Sequence, residues 1–336
     1  MESFTSNQWS GSLTDGTPLQ DLVAGAKAPT ASQASINKLP MMHVGSGYKF
    51  GNLTWFPVWT DEPIKQRNYS TAKSQEFSVS EAANAVVQSL KVDNQASLDL
   101  LLLEGSILEG GWQHRALVRS VIVPGRSSSD IPVVCVEQNR WGGAAEQSAG
   151  TKVAPAAVRV AMKGLVRDNQ GNVAQSAPDQ SRVWSSVASY QTRHGAQAPT
   201  ASLVDIENQV KRNIAAMPKI QPLPGQRGVV VAILGQPIAF ELFDHPDTLE
   251  ERLQGMLESY LLDAADRPYK KTGGQAARDF VLMVSKLKLD AEPQERSTVR
   301  LHSRNSRYVV AEALQHQGAL VHVSCINSQH ELVLAA

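Results

Sequence analysis

Cysteine is scarce in this sequence, since Cys135 and Cys325 are the only two among 336 residues. Two thiols are too few for a disulfide framework or for a zinc site built from thiolates, and they fit a reducing cytoplasm. An excess of either charge is also lacking, because 32 basic residues balance 32 acidic ones. A dominant electrostatic attraction to nucleic acid or to a membrane is therefore not expected.

Long hydrophobic runs are absent as well. No apolar run reaches the roughly 18 residues that a membrane-spanning helix needs. The first residues, with Glu2 among polar side chains, lack the basic and then apolar regions of an export signal. We therefore expect a cytoplasmic protein without a membrane span.

Established metal and nucleotide motifs are missing too. The chain has neither HExxH nor paired CxxC, and its eight histidines are dispersed, which disfavours a metal site. It also lacks GxGxxG after a strand, GxxxxGK[ST] and the GxSxG turn of many hydrolases. We expect neither a bound metal nor a cofactor.

Composition divides the chain into three parts. Residues 1–42 are rich in Ser, Gln, Thr, Ala and Gly and predict a flexible arm, because such a segment buries too little apolar surface to offset the entropy of ordering it. Residues 43–267 predict an α+β domain. Residues 268–336 predict a C-terminal helix and strand extension that packs on this domain.

Short segments rich in Val, Ile and Leu, bounded by Gly or Pro, predict strands. They are FGNLTWFPVWT from Phe50, LDLLLLEG from Leu98, HRALVRSVIVP from His114, IPVVCVEQ from Ile131, STVRLHSRNSRYVVAEALQ from Ser297 and ALVHVSCIN from Ala319. In addition, RGVVVAILGQPIAFELF predicts a hairpin that turns at Gly235, Gln236 and Pro237.

Capping-box patterns mark the start of two predicted helices. Ser78 with Glu81 predicts a helix whose apolar face carries Val79, Ala83, Val86 and Leu90. Thr248 with Glu251 predicts another. Further helices are predicted to begin near Pro155, to end at Gly195, to start at Ser202 and to surround Phe280.

The order of these elements has no regular βαβ rhythm. It predicts an α+β fold: a mixed, mainly antiparallel sheet with hairpins, packed against several amphipathic helices.

The most distinctive feature is the central run LEGSILEGGWQHR, which leads through an apolar strand to IPVVCVEQNRW. Glycines at Gly105, Gly110 and Gly111 permit positive φ and a close approach of the backbone to a ligand. Gln113 and Arg115 offer amide and guanidinium donors suited to phosphate, carboxylate or a nucleobase edge. The run therefore predicts a ligand site.

The end of the second strand completes this predicted site. If alternate strand residues face the core, Glu137 projects near the strand end, with Arg140 and Trp141 in the following turn. The candidate catalytic residues are Glu137 and Glu104. The candidate ligand-binding residues are Gly105, Gly110, Gln113, Arg115, Arg140 and Trp141.

Each of these residues also has a structural explanation. The glycines suit ordinary hairpin turns, and Arg115 suits an ion pair with Glu137 or Glu109. Cys135 is better explained as a small buried hydrophobe than as a nucleophile. Trp141 suits an aromatic anchor as well as a stacking surface for a planar ligand.

At these residues the chain resembles the ARPP-1 domain family, the ARG and rhodanese-phosphatase-superfamily-associated protein domain, in which ARG denotes ADP-ribosylglycohydrolase. The resemblance spans Gly45 to Ala265 and rests on an ordered succession of blocks: FGNLTWFPVW, LLLEGSILEGGWQHR, VIVPGRSSSDIPVVCVEQNRW and the segment from Gly225 to Ala264. Matching positions are Glu104, Gly105, Leu108, Gly110, Gln113, Arg115, Pro132, Cys135, Val136, Glu137, Arg140, Trp141 and Trp184.

The chain departs from the family pattern in its first turn. Ser106 and Ile107 stand where the family has two acidic residues, and His114 stands where Asn is usual. These departures weaken an acid–base mechanism built on that turn, which would need a positioned carboxylate. The resemblance implies an association with ADP-ribose-handling and phosphatase-like proteins, in prokaryotic stress or defence systems.

Three functions are consistent with the sequence. The leading hypothesis is an accessory protein that binds a nucleotide-derived ligand such as ADP-ribose or NAD through Gln113, Arg115 and the turn amides. The second is a hydrolase of an ADP-ribosyl or phosphate ester, with Glu137 or Glu104 as general base. The third is a protein-interaction scaffold. Both ligand hypotheses predict that these residues and Trp141 converge on one open pocket.

Overall fold

The computed structural model describes residues 39–74, 76–81, 87–303 and 306–335. The predicted arm, residues 1–42, lies outside them except for residues 39–42, and the first strand begins at Met42. All the described residues belong to one compact unit.

Strands outnumber helices in this part of the chain. The strands are β1 Met42–Val44, β2 Tyr48–Phe50, β3 Leu53–Thr60, β4 Tyr69–Thr71, β5 Ser78–Ser80, β6 Ser89–Asn94, β7 Asp99–Leu102, β8 Ser106–Gly110, β9 Arg115–Leu117, β10 Val121–Val123, β11 Ser127–Cys135, β12 Glu146–Val153, β13 Leu165–Arg167, β14 Val173–Gln175, β15 Gly228–Ile233, β16 Gln236–Phe243, β17 Leu289–Pro293, β18 Thr298–Ser303, β19 Val309–His316 and β20 Ala319–Asn327. The helices are α1 Ala156–Met162, α2 Gln180–His194, α3 Leu203–Asn213, α4 Pro246–Ala264, α5 Gly274–Ser285 and α6 Glu331–Leu334.

An antiparallel sheet of nine strands forms the larger layer. Its strands pair in the order β1, β3, β15, β16, β20, β19, β18 and β17, with β2 also paired to β3. The predicted hairpin is confirmed as β15 and β16, but its turn lies at Leu234 and Gly235, both with positive φ, while Gln236 and Pro237 already belong to β16. Because β20 pairs with β16, the predicted C-terminal extension contributes strands to this sheet.

A closed six-stranded barrel forms the second layer, with strand order β11, β6, β5, β12, β8 and β9. Its interior is filled by apolar side chains, among them Leu90, Leu108, Leu117 and Ile131. The central run supplies β8, β9 and β11. The predicted strand from Ile131 is confirmed as part of β11, whereas the segment from His114 forms two strands, β9 and β10, and β8 was not predicted. The architecture is α+β with mainly antiparallel sheets, as predicted.

The helix predicted from Ser78 is wrong in the part that the structure describes. Residues 78–80 form β5, which pairs with β6, and Leu90 lies in β6. Val79 is buried opposite Val92. Because alternate residues of a strand face the same side, Val79 reaches the core from a strand as well as it would from a helix. Barrel closure therefore overrides the local capping-box pattern, and residues 82–86 of the predicted helix lie outside the described residues.

The remaining predicted helices are present. Helix α1 follows Pro155, and α2 ends where Gly195 adopts the left-handed conformation, with φ 59°. Helix α4 begins at Pro246, before the predicted start at Thr248, because the His245 ring accepts a hydrogen bond from the Asp247 amide and caps it. Proline suits this first position because its missing N–H needs no partner there.

The two faces of the nine-stranded sheet differ in chemistry. Alternate residues of β16, β19 and β20 are apolar and pack toward α5, as Phe240, Ala311 and Val323 do. Their neighbours in the chain face the other side and are polar: Glu241, Glu312, His322 and Ser324. Because these polar side chains are buried, they need charged or hydrogen-bonding partners, which α1 and the barrel supply.

Candidate functional site

The glycines of the central run have the predicted backbone conformation. Gly105, Gly110 and Gly111 have φ values of 74°, 106° and 58°. Their amides donate hydrogen bonds within the protein: Gly105 to the Leu117 carbonyl at 2.8 Å, Gly111 to the Glu146 carbonyl at 2.9 Å and Gly110 to Nδ1 of His114 at 3.0 Å. These amides hold the turns in place.

The predicted ligand donors Gln113 and Arg115 are buried, with 0% and 2% of their surface exposed. Arg115 donates to Oε1 of Gln113 at 2.8 Å and to Sγ of Cys135 at 2.9 Å, and lies 3.3 Å from Oε1 of Glu81. Its ion pair is therefore with Glu81, which corrects the expected pair with Glu137 or Glu109. Burial raises the pKa of the Cys135 thiol to about 11, against the effect of Arg115, so Cys135 is protonated at neutral pH.

Glu137 and Arg140 form a second internal pair. The Arg140 Nε donates to both carboxylate oxygens of Glu137, at 3.0 and 2.9 Å, and its other nitrogens donate to the carbonyls of Gly110 and Gly111. Glu137 also accepts from the His114 amide and from Thr200. Burial acts to raise the pKa of Glu137, but these hydrogen bonds have the larger effect, and the pKa lies below its usual value. Arg140 therefore links an ionised Glu137 to the first turn.

Trp141 and Glu104 differ from this pair in their exposure and contacts. Trp141 is 61% exposed, whereas Glu104 is buried and contacts Arg159 and Lys163. None of the hydrogen bonds among the described residues links Glu104 to Glu137. The predicted convergence on one open pocket is therefore wrong, and the individual ligand and catalytic roles of these residues stay predictions.

A buried charged cluster surrounds Glu104. Its ion pairs join three carboxylates to three cations: Glu104 to Arg159 at 3.3 Å and to Lys163 at 2.7 Å, Glu312 to Lys163 at 3.0 Å, Glu241 to Arg159 at 2.7 Å and Glu241 to Arg252 at 3.9 Å. Burial raises the pKa of Glu104, but Lys163 and Arg159 outweigh it and bring the value to about 2. The pKa of Glu241 is also held well below its usual range, mainly by Arg159 against the effect of burial. Both carboxylates are therefore ionised at neutral pH.

At the edge of this cluster a hydroxyl, an imidazole and a carboxylate lie in series. Oγ of Ser120 is 2.8 Å from Nδ1 of His322, and Nε2 of His322 is 3.6 Å from Oε2 of Glu241. The Glu104 amide donates to the same Ser120 hydroxyl at 2.9 Å. The ring of His322 stacks on Phe243, with centroids 4.9 Å apart, which fixes its orientation.

A cleft with a volume of about 430 Å³ opens beside this series. It is lined by residues of the segment Arg119–Pro124, by the barrel strand β11 and by β18 with the turn before it, including Arg300 of β18. A recess of about 10 Å³ continues inward between Ser120, Glu104, Glu312 and His322. Ser120 and Arg119 line both spaces, so they stand where the cleft meets the charged cluster.

Arg119 is the cation of this cleft that is available to a ligand. Arg300 is paired with Glu292 and Glu312, but Arg119 makes no hydrogen bond or ion pair with the residues that the structure describes. Burial and the neighbouring Arg300 lower the pKa of Arg119. A guanidinium nevertheless keeps its charge in proteins, so Arg119 presents five N–H donors that have no acceptor in the described part of the chain.

Arg119, Ser120 and His322 are not among the residues of the site predicted from the sequence. The apolar pattern of HRALVRSVIVP predicts one strand, whereas in the structure Arg119 and Ser120 interrupt it between β9 and β10. His322 and Glu312 did carry a signal, since each is a polar residue within an otherwise apolar strand run. Such positions are costly unless the side chain has partners, and they can mark a buried polar network.

Within the described part of the chain, no group of three or more His, Cys, Asp or Glu side chains is arranged to hold a metal ion. Among the same residues, no helix has the length and the apolar character needed to cross a membrane.

Fold and site together define an α+β protein in which a small barrel and a nine-stranded sheet flank a polar cleft. The chain belongs to the ARPP-1 family, the ARG and Rhodanese-Phosphatase-superfamily-associated Protein domain, whose family model matches residues 41–326. This match confirms the resemblance and extends it beyond Ala265 into β20. Neither a curated protein nor a solved structure matches the chain.

Proposed function

We propose that this protein binds a nucleotide-derived ligand that carries phosphate, such as ADP-ribose or NAD, in the cleft beside Arg119. The observation that carries the proposal is the half-buried Arg119 guanidinium, which has no acceptor among the described residues. An unpaired guanidinium in a concave site matches phosphate, because its fork of donors fits two phosphate oxygens.

The rest of the cleft suits the remainder of such a ligand. Its volume falls in the range of small-molecule sites, about 300 to 1,000 Å³. Asp130 on one wall offers carboxylate oxygens to ribose hydroxyls, and Val121, Ile122 and Leu314 offer an apolar surface to a base. The family's association with ADP-ribose-handling proteins in prokaryotic stress or defence systems supports the choice of ligand. The two unpaired cysteines support a cytoplasmic setting.

The central run has a structural role in this proposal. Its donors and turn amides hold the barrel together, so the ligand contacts predicted for Gln113, Arg115 and Arg140 stay predictions. A substitution of Trp141 distinguishes binding on the central run from binding in the cleft, because this side chain is exposed and its removal leaves the barrel core intact. A ligand on the central run loses affinity in Trp141→Ala, whereas a ligand in the cleft does not.

The test is a calorimetric titration of ADP-ribose, NAD and AMP into the wild-type protein and into Arg119→Ala. We expect Arg119→Ala to weaken binding about 10- to 100-fold, as the loss of a charge-assisted hydrogen bond predicts. Arg212→Ala is the matched control, because Arg212 is exposed on α3, outside the cleft. Absence of binding to the wild type, or equal affinity in Arg119→Ala, contradicts the proposal.

A further inference from the structure

We infer that Ser120 is a nucleophile activated by His322, and that the cleft hydrolyses a carboxylic ester whose alcohol part carries a phosphate. The inference goes beyond binding, and it rests on the proposed function only for the phosphate contact at Arg119. Its basis is the series Ser120, His322 and Glu241, whose three side chains come from separate parts of the chain.

The order of groups is the one that nucleophilic catalysis by serine needs. The Ser120 hydroxyl is 2.8 Å from one ring nitrogen of His322, and a carboxylate lies 3.6 Å from the other. The hydroxyl is thus within reach of a base that a third group orients. In this site the hydroxyl faces Nδ1 and the carboxylate faces Nε2, so Glu241 favours the tautomer with its proton on Nε2 and leaves the lone pair on Nδ1 toward Ser120.

Neighbouring side chains keep Glu241 ionised and fix the orientation of the His322 ring. Arg159, 2.7 Å from Glu241, keeps that carboxylate ionised. Phe243 holds the imidazole plane by stacking on it. His322 is buried, but Ser120 is only partly buried and lines the open cleft. A substrate can therefore reach the hydroxyl from the cleft.

The shape of the site restricts how the ester approaches. The inner recess, about 10 Å³, is too small for a substrate, so the reacting carbonyl must enter from the wide cleft. Arg119 precedes Ser120 in the chain and lines the same cleft. A phosphate held by Arg119 places the ester of the same molecule close to the Ser120 hydroxyl, which is the positioning that catalysis requires.

The reaction balances without an oxidant or a metal. As Oγ of Ser120 bonds to the ester carbonyl carbon, its proton passes to Nδ1 of His322. The bond from that carbon to the alcohol oxygen breaks, and His322 returns the proton to the departing oxygen. Water then bonds to the acyl carbon while giving a proton to His322, the bond to Oγ breaks, and Ser120 regains the proton. The products are one acid and one alcohol.

Glu104 and Glu137 are less suited to this role. Arg159 and Lys163 hold the pKa of Glu104 at about 2, and hydrogen bonds lower that of Glu137. A carboxylate that is stabilised in its ionised form is a weak base. Their predicted roles in catalysis stay predictions, whereas the Ser120 hydroxyl lies 2.8 Å from an imidazole nitrogen and lines an open space.

The test uses the full chain with a fluorophosphonate probe and intact-mass spectrometry, together with hydrolysis of p-nitrophenyl acetate. We expect stoichiometric labelling of wild type at Ser120, loss of the label in Ser120→Ala, and a fall in hydrolysis of at least about 100-fold in Ser120→Ala and His322→Gln. Ser185→Ala, an exposed serine of α2, is the control and keeps the wild-type rate. Thermal unfolding shows whether each variant is folded.

The outcomes separate this inference from the proposed function. A folded wild type that binds ADP-ribose but neither takes the probe nor hydrolyses the ester overturns the inference and leaves the binding proposal standing. Labelling that persists in Ser120→Ala also overturns it. Labelling and hydrolysis at Ser120 without binding of any nucleotide support the nucleophile and overturn the proposed function. If His322→Gln fails to fold, loss of the label in folded Ser120→Ala still decides the question.

Discussion

Arg119 and Arg140 show how differently two arginines can be used in one protein. The nitrogens of Arg140 donate hydrogen bonds to Glu137 and to two carbonyls of the first turn. Arg119, in contrast, lines the cleft and has no partner among the described residues. Sequence alone could not separate them, because both follow apolar strand segments. Only the fold shows that Glu137 is within reach of Arg140.

At the residue scale, we predict that Arg140→Ala destabilises the protein by about 2 to 4 kcal/mol, since it leaves Glu137 ionised and buried without its cation. Urea denaturation at pH 7 measures the change. Arg212→Ala, which removes an exposed guanidinium, is expected to change the free energy of unfolding by less than about 0.5 kcal/mol. Equal small effects of both substitutions would show that the Glu137–Arg140 pair contributes little.

Glu207 predicts a pH dependence of stability. It is buried in α3 with Oε1 lacking a hydrogen-bond partner among the described residues, and burial raises its pKa to about 8, against Lys211 and Lys152. The folded protein therefore holds a proton that the unfolded chain releases above its ordinary pKa of 4.5. Stability from this group is full below about pH 4.5 and is lost as pH rises toward 8, by about 1.4 kcal/mol per pH unit.

Glu207→Gln is expected to remove this loss. Urea denaturation at pH 5.5, 6.5 and 7.5 should show the variant gaining stability relative to wild type as pH rises. Glu250→Gln, at an exposed position of α4, is the control and should follow the wild type. A difference between wild type and Glu207→Gln that is independent of pH would contradict the raised pKa.

At the element scale, local patterns predicted most strands and helices but not the choice between them at Ser78. The pattern of Ser78 and Glu81 suits a helix start, and the two-residue period of Val79 suits a strand. The strand forms because β5 completes the barrel between β6 and β12, a long-range pairing that no local pattern contains. Helices with a complete local signal, such as α2 with Gly195, were predictable for the opposite reason.

Substitutions at two neighbouring positions test this strand. Val79→Ala is expected to cost about 1 to 3 kcal/mol, because Val79 is buried in the barrel. Ser78→Ala is expected to change stability by less than about 0.5 kcal/mol, since Ser78 is exposed in β5, whereas removing a helix cap would cost about 1 kcal/mol. The two values come from denaturation of each variant, and the reverse order of costs would favour a helix.

At the scale of the whole molecule, the antiparallel α+β character was predictable, while the closure of the barrel and the position of the C-terminal strands were not. Strand order depends on contacts between distant segments, such as β16 with β20. The candidate site has the same origin. Ser120 and His322 are 202 positions apart and meet only because β20 joins the sheet beside β16.

We therefore predict that a chain ending at residue 267 does not fold. Such a truncation removes the strand paired with β16 and takes His322 and Glu312 from the buried cluster, which leaves Glu241 and Lys163 with fewer partners. Near-ultraviolet circular dichroism and urea denaturation measure the outcome. A truncated chain that unfolds cooperatively would show that residues 43–267 form an independent domain.

Calorimetry with two ligands and two proteins tests whether Arg119 binds the phosphate of the ligand. ADP-ribose and adenosine, which lacks phosphate, are each titrated into wild type and Arg119→Ala. We expect Arg119→Ala to weaken ADP-ribose binding about 10- to 100-fold and to leave adenosine binding unchanged, because only phosphate contacts the guanidinium. An equal effect on both ligands, or no effect on ADP-ribose, would contradict a phosphate site at Arg119.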